Sequence, residues 1–257
     1  MIRFASLGSG SKGNALLVES GGTRVLLDCG FGPRELVTRL ARLGVVPDSI
    51  DAVLVTHEHA DHVGGAARCA TRFSWQVHAS HGTAVAAGQL NDVPVRRFDS
   101  HASFTIGDLE VHPYPVPHDA REPTQFVFSD GASRLGVLTD AGTITPHIVA
   151  MLADCAALVL ECNHDAEMLA NGRYPPPLKR RIAGGFGHLE NDAAAGLLRT
   201  LKAQGQGRLR HVVAAHLSEE NNTPVLARSA LAAALDCTAD WIGVASQAEG
   251  FGWRELR

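Results

Sequence analysis

The run Thr56-His57-Glu58-His59-Ala60-Asp61-His62 places three imidazoles and two carboxylates within seven residues, directly after the strand-like V-L-V-T. On extended backbone His57 and His59, two apart, point to one side. Asp61 and His62 fall where the chain turns into a helix, so they can reach a second ion. Imidazole suits zinc, iron or manganese, and carboxylate widens that choice. A solvated histidine-rich loop is the plain alternative. Four ligand-type side chains coinciding just after a buried strand argue against it, as does the excess of 13 histidines in 257 residues.

Such a site needs ligands from elsewhere. His118 follows Val111–Val116, Asp140 follows L-G-V-L-T, and His216 follows H-V-V-A-A. A lone histidine after a strand is usually a surface residue. Three such residues at strand ends make a convergent centre. His78, His81, His101, His112, His147 and His211 have no comparable context and read as surface or packing residues.

The elements that must position these groups are legible in outline. Strand-like runs open the chain at Arg3–Leu7, Ala15–Glu19 and Thr23–Cys29, the last two split by the hairpin signal Gly21-Gly22. Pro33–Leu43 reads as a helix with an apolar stripe, closed by Gly44. Asp51–Thr56 is a strand, and an alanine-rich helix follows the histidine motif to about Arg72. Strands are expected at Ser103–Ile106, Leu109–Val111, Thr124–Phe128 and Leu135–Leu138. Helices and strands then alternate through Ile148–Ala153, Leu158–Glu161, Ala193–Ala203, Val212–Ala215, Val225–Leu235 and Trp241–Ala245. Hairpins and helical crossovers in both halves imply an α/β fold of two mixed sheets flanked by helices, a four-layer αββα arrangement spanning 1–257 as a single domain.

Composition sets outer bounds. Apolar residues make up 45% of the chain, enough for a large core. No apolar run nears the roughly 18 residues of a membrane span, and the first residues lack a signal-peptide layout. A cytoplasmic protein with no membrane partner is expected. Five cysteines without C-x-x-C spacing read as buried free thiols. A net charge of −4 excludes a global polyanion binder, so any nucleic acid must meet a local patch.

T-H-E-H-A-D-H resembles the signature of the metallo-β-lactamase superfamily, and L-L-D-C-G at 26–30 resembles its preceding strand. The chain is more closely similar to the WalJ/YycJ-type branch, bacterial proteins regarded as 5′-to-3′ exonucleases. The resembling stretches are S-L-G-S-G-S-K-G-N at 6–14, P-H-D-A at 117–120, L-T-D-A-G at 138–142, E-C-N-H-D at 161–165, G-R-Y-P-P-P-L-K-R-R-I-A-G-G-F-G-H-L-E-N at 172–191 and A-H-L-S-E-E-N-N at 215–222. The resemblance implies two divalent ions, zinc or manganese with iron also compatible. His57, His59 and His118 would hold one; Asp61, His62 and His216 would hold the other, with Asp140 bridging.

Beyond the ligands, Asp61, His188 and Glu161 are the candidate catalytic residues. Related phosphodiesterases place a histidine near His188 to help the leaving group depart, with Glu161 or Asp165 as its orienter here. The other reading of His188 is a helix-entry residue with a capping role. Asn191 looks like an N-cap. The branch usually carries Ser where this chain has Glu190, which adds negative charge near a phosphate site. Asp28 reads as an orienter of the motif loop.

For substrate, the candidates are Ser11, Lys12 and Asn14 in the glycine-rich loop, Asn163 and His164, and the basic run Lys179, Arg180 and Arg181. The loop is either a phosphate cradle or a tight turn shaping the site floor. The basic run either tracks a nucleic-acid backbone or is a solvated helix face. DNA is the expected substrate, and the oligomeric state is not legible. A small-molecule phosphodiesterase acting on a cyclic or nucleotide ester is the alternative. A non-hydrolytic signalling or redox module is opposed by the full ligand set and by the lack of room for a flavin partner domain.

Overall fold

The computed structural model describes residues 1–204 and 209–256. The first sheet is built from β1 (Ile2–Gly8), β2 (Ala15–Ser20), β3 (Thr23–Leu27), β4 (Ala52–Val55), β5 (Gln76–Ser80) and β6 (Val95–Phe98). The second contains β7 (Phe104–Ile106), β8 (Leu109–Pro115), β9 (Thr124–Ser129), β10 (Arg134–Leu138), β11 (Ala157–Glu161), β12 (His211–Ala215) and β13 (Gly243–Val244). The last strand, β14 (Phe251–Leu256), returns to the first sheet and pairs antiparallel with β1.

Strand orders are β14-β1-β2-β3-β4-β5-β6 and β13-β12-β11-β10-β9-β8-β7. Each sheet is antiparallel over its first-formed strands and turns parallel beyond β3 or β10. Parallel pairs need crossovers. In the first sheet these include α1 (Pro33–Arg42), α2 (Ala60–Val63), α3 (Ala66–Phe73) and α4 (His81–Ala86). In the second they are α5 (Pro146–Leu152), α6 (Ala166–Asn171), α7 (Pro176–Ile182), α8 (Asn191–Ala203) and α9 (Pro224–Leu235).

Three apolar clusters separate the layers. Ile2, Phe4 and Leu54 meet Phe126, Phe128 and Val159 between the sheets. Leu36, Leu40 and Cys69 cover the outer face of the first sheet, and Ile148, Leu198 and Leu231 that of the second. This is the four-layer αββα arrangement, two mixed sheets flanked by helices. All five cysteines are free; Cys237 is half-buried and the other four are buried. Among the described residues, no helix is long and apolar enough to cross a membrane.

Several expectations need correction. The helix after the histidine motif is two pieces, α2 and α3, broken at Gly64-Gly65. A Cβ on Gly65 would lie 1.8 Å from the Phe31 carbonyl oxygen, so only glycine lets this joint reach the loop after β3. Trp241–Ala245 contributes only the two-residue strand β13. Asn191 is not the N-cap of α8: that position is Glu190, whose side chain caps nothing. The Asn191 amide instead pairs reciprocally with Asn222, at 3.0 and 2.9 Å.

Candidate metal centre and cleft

The candidate ligands, and Asp28 that orients one of them, collect beyond the ends of β3, β4, β8, β10 and β12. Three of these ends use the same backbone device. Asp28, Asp140 and His216 take φ of 61°, 51° and 54°, left-handed values unusual for residues other than glycine. Each bends the chain sharply as its strand stops. Left-handed backbone at non-glycine residues is strained and persists only where its surroundings enforce it. Here the Asp28 amide donates to the Leu54 carbonyl at 2.7 Å, and the His216 amide donates to Ser9 Oγ at 2.9 Å.

Ligand atoms of His57, His59 and His118 lie within 4.8 Å of one another, as do those of Asp61, His62 and His216. A third group of the same tightness, His57, His62 and Asp140, joins the two. His57 Nε2 is buried and has no hydrogen-bond partner among the described residues, and the buried Asp140 Oδ2 faces His62 Nε2 at 3.1 Å. Buried polar atoms are normally satisfied, and an orphan ring nitrogen inside a histidine cluster, beside a buried carboxylate that meets a second ring, fits a bound cation.

The opposite ring nitrogens are tied down. Thr56 Oγ1 lies 3.0 Å from His57 Nδ1, Asp28 Oδ2 lies 2.7 Å from His62 Nδ1, and His118 Nδ1 donates to the Gly187 carbonyl at 2.9 Å. Such bonds fix ring orientation and leave Nε2 for a metal. Glu58 points away and accepts from the Arg121 amide at 2.7 Å.

Burial holds His57 and His118 below the usual histidine range, so both are neutral and ready to ligate. Burial also acts against charge on His62 and His216, but surrounding carboxylates outweigh it. Asp140, Asp28 and Asp61 push His62 well up, and Asp140, Asp61 and Glu161 push His216 up to about 10. Asp140 is held well below the carboxylate range despite its burial, by His216 and His62.

His188 Nδ1 lies 2.8 Å from Glu161 Oε1. Glu161 is fully buried, and its Oε2 accepts from the amides of Ala141 at 2.9 Å and Leu189 at 3.3 Å. Burial opposes charge on His188, yet Glu161 and Asp140 raise it above its ordinary value. The capping reading of His188 does not hold, since its ring faces the cleft and α8 begins three residues later. Asp165 is not its orienter: Asp165 caps α6 through the Met168 amide.

A cleft of about 380 Å³ opens over these groups, lined by Ser11, His59, Asp61, Asp140, His188 and His216. Tyr174, Leu178, Arg181 and Ile182, from α7 and the turn before it, line it as well. Asp119 also lines the cleft. Sequence reading passed over it, although an acidic residue beside the post-strand His118 was a usable signal. Its Oδ1 lies 3.5 Å from His118 Nε2 and its Oδ2 2.6 Å from Arg181 Nε.

The other expected substrate residues are placed elsewhere. Asn14 is buried beneath the centre, with Nδ2 3.1 Å from His62 Nε2 and 3.3 Å from Asp61 Oδ2. Its Oδ1 accepts from the Gly10 amide, closing the glycine loop on itself. The amides of Ser9, Lys12, Gly13 and Asn14 are also bonded within the protein, so the loop is a tight turn and not an open phosphate cradle. Lys12 Nζ pairs with Glu219 on the surface. Asn163 is buried and donates to the His216 carbonyl at 3.0 Å. His164 is buried and bridges to Glu190. Neither Glu190 nor His164 lines the cleft. The basic run splits: Arg181 faces the cleft, Lys179 donates to the Ala170 carbonyl at 2.7 Å, and Arg180 is exposed.

Comparisons with known proteins agree with the fold. A family profile described as "Beta-lactamase superfamily domain" matches residues 23–216. The chain is 31% identical over 233 residues to the exodeoxyribonuclease WalJ of Streptococcus pneumoniae, covering 88% of this chain and 85% of the relative. It is 34% identical over 241 residues to the exodeoxyribonuclease YycJ of Bacillus anthracis, covering 91% and 89%. Among solved structures, the metallo-β-lactamase fold protein YhfI of Bacillus subtilis superposes with a TM-score of 0.77 at 16% identity, covering 99% of both chains.

Proposed function

Because the chain belongs to the beta-lactamase superfamily, in the branch of the WalJ and YycJ exodeoxyribonucleases, we propose that it is a dinuclear metal-dependent phosphodiesterase that removes nucleotides from DNA, in the 5′-to-3′ direction. The observation that carries this reading is the convergence of five histidines and two aspartates on two joined ligand groups, with His57 Nε2 buried and unpartnered and Asp140 Oδ2 meeting His62 Nε2 at 3.1 Å. His57, His59 and His118 would hold one divalent ion and Asp61, His62 and His216 the second, with Asp140 available to both. Zinc and manganese both suit this nitrogen–oxygen set, and iron is also compatible. When bound, the ions supply Lewis acidity to the phosphoryl group and a nucleophile at neutral pH.

The remaining work falls to the chain. Asp61, which lines the cleft, would orient the attacking group. Glu161 holds His188 by Nδ1, and His188 Nε2 delivers a proton to the departing 3′ oxygen. Arg181 takes a phosphate of the strand, exchanging Asp119 for it. The pairing of β14 with β1 supports reading the chain as one hydrolase domain, and a DNA substrate fits a cytoplasmic location.

The test is to load the protein with zinc or manganese and incubate it with end-labelled DNA, end-labelled RNA and a chromogenic phosphodiester. Stepwise shortening of DNA from its 5′ end, with about two ions per chain by metal analysis, is the expected result. Rapid cleavage of the small ester with DNA left intact would replace the exonuclease reading by a small-molecule phosphodiesterase.

A further inference from the structure

The cleft lining combines two chemistries. One part carries the metal-binding histidines and carboxylates. The other part presents Tyr174, Leu178 and Ile182, an aromatic and two aliphatic side chains, together with Arg181, which reaches Asp119. Leu178, Arg181 and Ile182 are three and four residues apart on α7, so they share one face of the helix. The Tyr174 hydroxyl forms no hydrogen bond among the described residues, and the residue is half-buried. Tyr174 is followed by Pro175, Pro176 and Pro177. A residue before proline is confined to extended backbone, so Tyr174 is held in place without packing into the core. A second aromatic stands nearby in sequence: Phe186, beside the cleft-lining Gly187, is 66% exposed between glycines. Leaving a phenyl ring in water forgoes the stabilisation its burial would bring.

We propose that the α7 wall is a nucleobase subsite: the Tyr174 ring stacks on the base of the strand's terminal nucleotide, over Leu178 and Ile182, while Arg181 binds a phosphate of that strand. The exposed Phe186, next in sequence to the cleft-lining Gly187, offers a face to a base further along. The inference rests on the nuclease reading and deepens it. An aromatic face accepts any base, which suits an enzyme that must process every sequence. A base stacked here cannot remain paired and stacked in a duplex, so the substrate is a strand end whose terminal base is free.

The experiment uses the metal-loaded protein and phosphorothioate-linked DNA strands that resist cleavage, identical except that one set lacks the terminal base. The parent should bind base-bearing strands more tightly than abasic ones. Tyr174→Ala should weaken binding of the base-bearing strand roughly 5- to 150-fold, leave the abasic strand nearly unchanged, and be rescued by Tyr174→Phe. Equal affinity of the parent for both strands, or an equal loss on both in Tyr174→Ala, overturns the subsite while leaving the nuclease reading intact. Failure of the parent to bind either strand removes both. Metal content and thermal unfolding of Tyr174→Ala equal to the parent's would exclude a merely structural loss.

Discussion

The carboxylate of Asp28 sits 2.7 Å from Nδ1 of His62, and the same side chain accepts from the Thr56 amide at 2.8 Å. One residue at the end of β3 thus orients a candidate ligand and pins the start of the histidine motif after β4. Asp28→Asn should keep the fold but lower metal affinity about 10- to 100-fold, the usual effect of losing a carboxylate behind a ligating histidine. Competition against a calibrated chelator measures it. Unchanged affinity would show that His62 needs no such support.

The parts of this arrangement that were legible in sequence are the local ones. His57, His59, Asp61 and His62 arrive together from one strand end, and His118, Asp140 and His216 each follow an apolar run that reads as a strand. What escaped depends on tertiary placement. Nothing local marks Asp28, Asp140 and His216 for left-handed backbone, since glycine is the usual signal for it. The strand Gln76–Ser80 carries a buried histidine, His78, in place of clean alternation, and β14 finds its partner only across the whole chain, at β1. Lys179, Arg180 and Arg181 look equivalent in sequence, but α7 turns only Arg181 toward the cleft.

Metal binding should be strongly pH-dependent. In metal-free protein the buried carboxylates hold a proton on His62 and, up to a pH of about 10, on His216. A ligating imidazole must be neutral, so metal has to displace these protons. The sign follows: affinity rises with pH across the neutral range and falls as pH drops. Titrating chelator-stripped protein with zinc in two buffers of different ionisation enthalpy should reveal net proton release at pH 7. Absence of release would mean the histidines are already neutral before metal arrives.

His188 is placed to move a proton, with Nδ1 committed to Glu161. His188→Ala should retain both ions and lose roughly 10²–10⁴ in rate on DNA. The loss should shrink on a p-nitrophenyl ester, whose leaving group departs without a proton. Glu161→Gln should follow the same pattern more weakly, because it disturbs the ring's orientation and charge but keeps the donor. An equal loss on both substrates would assign His188 to binding or structure instead.

The last expectation concerns how the strand's charge is met. Arg181 faces the cleft and pairs with Asp119 at 2.6 Å, whereas Lys179 is spent on the Ala170 carbonyl. If Arg181 exchanges Asp119 for a phosphate, it contributes one counterion-releasing contact. DNA binding weakens with salt at a log–log slope of about −0.7 to −0.9 per phosphate neutralised. Arg181→Ala should therefore flatten the slope by about one unit, while Lys179→Ala and Arg180→Ala should change it less. Asp119→Asn releases the guanidinium from its internal partner and should tighten DNA binding at low salt, provided metal content is matched to the parent. The measurement is affinity for a cleavage-resistant strand over a salt series, for the parent and all four variants. A uniform effect of the three basic substitutions would restore the run to a diffuse charged face, and an unchanged slope in Arg181→Ala would leave Arg181 bound to Asp119 in the complex as it is without DNA.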